Sequence, residues 1–276
     1  MHLGAGDCRE PVLNLTGMGR IRDIAYGIYA LAAFAVLAAV ALIFAAAVPG
    51  LSRRRRWVSA AARSWFAVAG IPVVTSGFGN IPPGHCIVVA NHASYLDGVI
   101  LQAFLPPRFS FVIKGEMQNV PFVHFLLRRI GSKFVERFVA SKSSRDARNL
   151  LKAASAGESL AVFPEGTFHP APGLSRFRAG AFAAAIKGNL PVVPVAIRGS
   201  RRIMPSGRIL PSHGRLSIDA LPAIDPGDTA FDNSKSLAQH SRQRLLAVLD
   251  EPDLADSDGN APIVSGRTIP GLQNDN

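Results

Sequence analysis

Asn91-His92-Ala93-Ser94-Tyr95-Leu96-Asp97 sets a histidine and an aspartate five positions apart, directly after the apolar run Ile87-Val88-Val89-Ala90. Such a run reads as a buried strand, which puts His92 at a strand end, where open α/β sheets bind their ligands. In one continuous helix, positions i and i+5 lie about 140° apart and do not meet; in a turn that opens a helix they do. Asp97 then holds the imidazole by one ring nitrogen and leaves the other to take a proton. This is half of a catalytic triad with no obvious protein nucleophile beside it. Ser94 is two residues from His92 but lacks a Gly-x-Ser-x-Gly elbow. A thioesterase or lysophospholipase using Ser94 is a second reading. A lipid-binding scaffold without catalysis is a third, and its expected sign is loss of His92 or Asp97; both are present.

Three further blocks follow in order. Gly131-Ser132-Lys133-Phe134-Val135-Glu136-Arg137 ends in an acid and an arginine, and Lys114-Gly115-Glu116 and Val120-Pro121-Phe122 lead up to it. Phe163-Pro164-Glu165-Gly166-Thr167 follows another apolar run, and Leu190–Ile197 is a Pro-bearing strand preceded by Phe177–Phe182. Together the four blocks, across residues 70–220, resemble the PlsC-like glycerolipid acyltransferase family, the lysophosphatidate acyltransferases. The resemblance implies that His92 is the general base and Asp97 its orienting partner. The acceptor's hydroxyl is then the nucleophile on an acyl thioester, and no cofactor is implied beyond acyl-CoA or acyl-carrier protein as donor. It also implies that Glu165, Gly166 and Thr167 belong to the acceptor-binding loop, Glu165 fixing its geometry or a glycerol hydroxyl. Gly166 lets backbone approach closely. Arg137 can offer a planar fork to phosphate, with Lys114, Arg176 and Arg178 as further cations.

One position departs from the family pattern: its arginine after Gly-Thr is Phe168 here. Phenylalanine binds no phosphate. Either Arg176 or Arg178 substitutes, or the acceptor is a lyso-aminolipid such as lyso-ornithine lipid, or a lysophospholipid with a larger headgroup. The simplest acceptor, 1-acyl-sn-glycerol-3-phosphate, would give phosphatidate.

These residues need a sheet to position them. Short apolar runs at 71–75, 86–90, 109–113, 133–138, 159–163, 192–197 and 214–220 read as strands. Helical stretches at 95–105, 121–130, 142–156, 176–188 and 234–249 alternate with them. The alternation predicts an α/β fold with a mixed, largely parallel sheet flanked by helices, occupying 71–249 after an N-terminal hydrophobic helix and a second interfacial helix.

No charged residue occurs between Asp23 and Arg53, and an Ala/Leu/Val/Phe run fills most of that span. Twenty-five helical residues reach about 38 Å against a hydrocarbon core of ~30 Å. The run is too long for a signal-peptide core, so residues 24–70 read as an uncleaved anchor that spans with tilt or lies half-embedded, after a tail over 1–23. Arg53-Arg54-Arg55-Arg56 follows it and sets the catalytic domain on the cytoplasmic face of the cell membrane. Residues 57–70, with Trp57 and Trp65, read as the interfacial helix or as one packed on the soluble core.

Net charge is +11, and residues 1–249 carry 29 basic against 13 acidic side chains. Such a surface suits a polyanion. The arginine run stands beside an apolar 25-mer, which favours lipid headgroups over nucleic acid. The partners expected are the lysolipid, the acyl donor and membrane lipids. Two cysteines, Cys8 and Cys86, make no disulfide framework, and no metal site is expected because ligand spacing is lacking. Residues 250–276 are acidic and poor in large apolar groups, and are expected to lack fixed structure.

Overall fold

The computed structural model describes residues 17–135 and 152–255. Its centre is a seven-stranded sheet in the order β1-β7-β6-β2-β5-β3-β4. The strands are β1 (Val73–Ser76), β2 (Ile87–Ala90), β3 (Ser110–Lys114), β4 (Lys133–Val135), β5 (Leu160–Val162), β6 (Val192–Arg198) and β7 (Leu216–Ala220). All neighbouring pairs are parallel except β6 with β7, as a mixed, largely parallel sheet requires. The central strands β2 and β5 are buried at every residue, which is why they read as unbroken apolar runs. Pro194 sits inside β6, where a missing N–H would ordinarily break a ladder. Here the Pro194 carbonyl still accepts from Leu221 N–H, just past the end of β7, and Val192 exchanges bonds with Ile224 beyond it, so the pairing on that side continues around the missing donor.

Side chains alternate across the sheet. Val88 and Ala90 face a core containing Trp65, Phe66, Ile100 and Phe109. Ile87 and Val89 face a second core with Phe182, Leu237 and Leu245. The first layer is built by α1 (Gly17–Ala47), α2 (Leu51–Val68) and α3 (Asp97–Phe104); α4 (Pro121–Arg129) follows β3. The second is built by α5 (Gly180–Gly188) and α7 (Ser234–Leu246), with the short α6 (Ser200–Ile203) leaving β6. The expected helix over 176–188 begins only at Gly180, because 176–179 is taken up by a loop tied to the site. Of the expected helix at 142–156, residues 142–151 lie outside the described residues, as do Glu136, Arg137 and the rest of the strand expected to 138.

Two expectations are corrected. The helix expected over 57–70 starts at Leu51 and takes in the arginine run. Arg55 is buried and donates to the carbonyls of Ile130 and Arg108 and to Ser110 Oγ at 2.7, 2.9 and 2.7 Å. Arg54 donates to Arg129 O at 2.6 Å and Val48 O at 3.1 Å, while Arg129 donates to Ala45 O at 2.7 Å and Ala46 O at 3.0 Å. The last carbonyls of a helix have no partner within it, and these guanidinium groups supply one for the ends of both α1 and α4. Half of the run is therefore structural, and only Arg53 and Arg56 are exposed.

The second correction concerns the tail. Residues 251–254 are ordered: Leu174 N–H donates to Pro252 O at 2.9 Å, and Leu254 N–H donates to Leu174 O at 3.1 Å. The remainder, 256–276, lies outside the described residues.

Among the described residues, α1 is the one helix long and apolar enough to cross a membrane. One side of it is sealed against α2. Trp65 Nε1 donates to Ala30 O at 2.9 Å, Tyr26 Oη donates to Ala69 O at 2.9 Å, and Phe44 stacks on Trp57 at 4.6 Å. The opposite side leaves Ile24, Ile28, Val36 and Ile43 exposed.

Candidate active site

Parallel strands put their carboxyl ends on one edge of the sheet, so β2, β4, β5 and β6, which carry the four sequence blocks, all end on the same side. Asn91 fixes the exit from β2. Its Nδ2 donates to Ile197 O at 2.9 Å and its Oδ1 accepts from Ile197 N–H at 2.7 Å, which continues the β2–β6 pairing with a side chain. The chain then turns into α3. Asp97 opens that helix, fully buried, with the positive end of the helix dipole favouring its charge. Its Oδ2 receives His92 Nδ1 at 2.9 Å and the backbone N–H groups of Ala93 at 2.6 Å and Ser94 at 2.8 Å. The expected His–Asp pair is thus formed by a turn in which the aspartate holds both ring and backbone.

His92 is 19% exposed at its side chain. Phe163 stacks on its ring with centroids 4.3 Å apart, and Phe168 meets it edge-on at 4.7 Å. Tyr95 packs edge-on against Phe168 at 4.8 Å. The residue that replaces the family's arginine therefore forms an aromatic wall beside the histidine. Sequence reasoning missed the contacts of Phe163 and Tyr95; their only signal was membership of the two motifs.

Ser94 is fully buried, donates its hydroxyl to Met204 O at 2.6 Å and accepts from Leu96 N–H at 3.1 Å. Its oxygen is committed to backbone.

Glu165 comes to the same place from β5. Its Oε1 accepts from His92 N–H at 2.7 Å and its Oε2 from Ser175 N–H at 3.0 Å. It is 6% exposed, and burial pushes its carboxyl up to about 7 against the opposing pull of the two backbone donors. Both oxygens being occupied, Glu165 joins two loops. Gly166 beside it has φ of 84°, the left-handed region that a glycine adopts without strain. Thr167 is exposed.

The cations are less concentrated. Arg178 N–H donates to Pro164 O at 2.9 Å, which ties its backbone to the Glu165 loop while its side chain is exposed. Arg176 is exposed next to Ser175. Lys114 ends β3 on the same sheet edge and pairs with Glu116 at 3.9 Å. Arg137 lies outside the described residues.

The site is thus a carboxylate-held histidine at the carboxyl edge of a largely parallel α/β sheet. A family model described as Acyltransferase matches residues 73–198, and the chain resembles that family there. It is 26% identical over 231 residues to a 1-acyl-sn-glycerol-3-phosphate acyltransferase of Saccharomyces cerevisiae, covering 80% of this chain and 73% of that protein. To the enzyme of the same name from Escherichia coli it is 28% identical over 172 residues, covering 61% and 69%. A solved 1-acyl-sn-glycerophosphate acyltransferase, PlsC, from Thermotoga maritima has the same fold, with a TM-score of 0.67 and 24% identity over 84% of this chain and 99% of that one.

Proposed function

We propose that the protein is an O-acyltransferase that moves a fatty acyl group from acyl-CoA or acyl-carrier protein to the hydroxyl of a membrane lysolipid. The observation that carries this reading is the commitment of Asp97 Oδ2 to His92 Nδ1 while the serine hydroxyl between them, Ser94, is spent on Met204 O. The nucleophile then comes from the substrate. His92 Nε2 takes the acceptor's proton as its oxygen attacks the thioester carbonyl, and Asp97 stabilises the imidazolium. The proton later leaves with the thiol of the donor, so no further cofactor is required. Stacking by Phe163 and the backbone grip of Glu165 keep the ring and its strand end fixed during the transfer.

The names of the relatives favour 1-acyl-sn-glycerol-3-phosphate as acceptor, with phosphatidate as product. Phe168 packs where the family pattern has an arginine, so Arg176 and Arg178 on the following loop are the phosphate ligands of this reading, with Thr167 contributing a hydroxyl. A lyso-aminolipid is the alternative that the aromatic wall favours. Supplying acyl-CoA and each lysolipid in vesicles separates the two: 1-acyl-sn-glycerol-3-phosphate is expected to be acylated fastest, and faster turnover of lyso-ornithine lipid would reassign the acceptor.

The membrane face of this reading is apolar and continuous. Exposed Ile28, Val36 and Ile43 of α1 run toward Phe122 and Phe125 of α4. Between α1 and α4 lies an apolar hollow of about 510 Å³ lined by Leu42, Ile43, Ala46, Pro121, Phe122 and Phe125. α1 is tied to the domain near both ends, by Tyr26 to Ala69 and by Ala45 to Arg129. It therefore lies along one leaflet, with exposed Arg53 and Arg56 at the cytoplasmic headgroups of the cell membrane.

A further inference from the structure

The loop after Gly166-Thr167 is held from outside by the start of the acidic C-terminal segment. Arg201 in α6 donates to His169 O at 2.6 Å and pairs with Glu251 at 3.3 Å. Glu251 Oε2 accepts from Gly173 N–H at 3.0 Å. Leu174 exchanges backbone hydrogen bonds with Pro252 and Leu254. Gly173 allows this contact, because a Cβ there would stand 2.3 Å from the Leu254 side chain and its φ is 139°. Arg242 of α7, only 2% exposed, donates Nε to Ser175 O at 2.9 Å, Nη2 to Leu174 O at 2.6 Å and Nη1 to Asp253 at 3.0 Å. Ser175 N–H in turn holds Glu165, whose other oxygen holds the His92 N–H. An unbroken line of bonds therefore leads from Asp253 through Arg242, Ser175 and Glu165 to His92.

We propose that residues 251–254 are a strap that positions the loop 167–178 for the acceptor, with Arg201 and Arg242 as positioning residues on which strap and loop are jointly anchored. This rests on the reading of that loop as the acceptor site. The physical reason is charge and geometry together. Three loop carbonyls, those of His169, Leu174 and Ser175, are fastened to guanidinium groups. Each of those groups is also held by a strap carboxylate. Charge-assisted bonds of this kind are the stronger ones, and a planar fork fixes direction as well as distance. Arg176 and Arg178 are carried on the segment so fixed. The strap touches neither the His92 ring nor the aromatic wall, so loosening it would act on acceptor binding before it acts on the donor.

The test compares the full chain with the double variant Glu251→Ala/Asp253→Ala. Asp253 is 56% exposed and Glu251 20% exposed at their side chains, so the substitutions remove no apolar packing and free Arg201 and Arg242 of their strap carboxylates. Amide hydrogen exchange is expected to speed up at least about tenfold in peptides covering 169–178, and to rise in 91–97, while β6 is unchanged. Kinetics at saturating acyl-CoA are expected to show an acceptor KM raised about tenfold, with donor KM within about twofold of the parent. That split is one that a loss of stability alone would not produce. Unchanged exchange over 169–178 would overturn the strap. Faster exchange with an unchanged acceptor KM would overturn its positioning role. If the parent chain acylates no lysolipid, the reading of the loop fails, while the exchange result still decides whether the strap exists. Arg242→Lys, which keeps the charge but loses the fork, is expected to reproduce the exchange effect; protection equal to the parent's would contradict the anchoring role of Arg242.

Discussion

Asp97 Oδ2 accepts from the Ala93 and Ser94 amides as well as from His92, so removing the aspartate and removing the histidine have different consequences. His92→Ala leaves that turn intact and is expected to lower turnover by about 10²–10⁴ with an unchanged melting temperature. Asp97→Ala strands two buried N–H groups and is expected to cost about 2–4 kcal/mol of stability as well, read by denaturant titration. Glu165 titrates, and the sign follows from its environment. A carboxyl raised by burial from 4.5 to about 7 holds its proton more tightly folded than unfolded. Its contribution to stability is full below about 4.5, declines as pH rises and is gone above about 7. Wild-type stability should therefore fall between pH 5 and pH 8 by more than that of Glu165→Gln, which cannot titrate; equal slopes in the two would contradict the assignment. Catalysis runs the other way, because the ionised carboxylate is the form that accepts from both His92 and Ser175. The rate should decline on the acid side with a midpoint near 7.

At the scale of elements, the arginine run carries a sharp expectation. Arg55→Ala removes a buried guanidinium that satisfies carbonyls of Ile130 and Arg108 and the Ser110 hydroxyl. It is expected to cost about 3 kcal/mol, whereas Arg53→Ala and Arg56→Ala should leave the melt unchanged. This is also where the sequence was least legible. The strands at the site could be read because a central parallel strand is apolar at every position, and β2 and β5 are. The His92–Asp97 pair could be read because three further blocks accompany it in order, and a turn opening a helix lets positions i and i+5 meet where a continuous helix does not. The carbonyls at the end of α4 that Arg54 and Arg55 satisfy lie 75 residues away, and no local pattern announces a side chain that caps a distant helix end. The same holds for the segment 251–254, whose acidic, apolar-poor composition resembles disorder until Arg201 and Arg242 are seen opposite it. Phe168 was legible as a departure, but its place against His92 depends on the fold of its loop.

For the whole molecule, the proposed function has the apolar faces of α1 and α4 and the carboxyl edge of the sheet bring a cytoplasmic donor and a lipid acceptor to one histidine. Phe122→Glu with Phe125→Glu, both on the exposed face of α4, is expected to weaken binding to anionic vesicles about tenfold or more without shifting the melt, as measured by flotation. Undiminished flotation would remove α4 from the membrane face. The central claim is that His92 acts as general base while the acyl group passes from the thioester directly to a lipid hydroxyl, without a protein nucleophile. It is tested most directly by following phosphatidate formation from acyl-CoA and 1-acyl-sn-glycerol-3-phosphate in vesicles by the wild type and by His92→Ala. The expected result is steady phosphatidate production by the wild type and a loss of at least about 10²-fold in the variant; turnover by His92→Ala at close to the wild-type rate would contradict it.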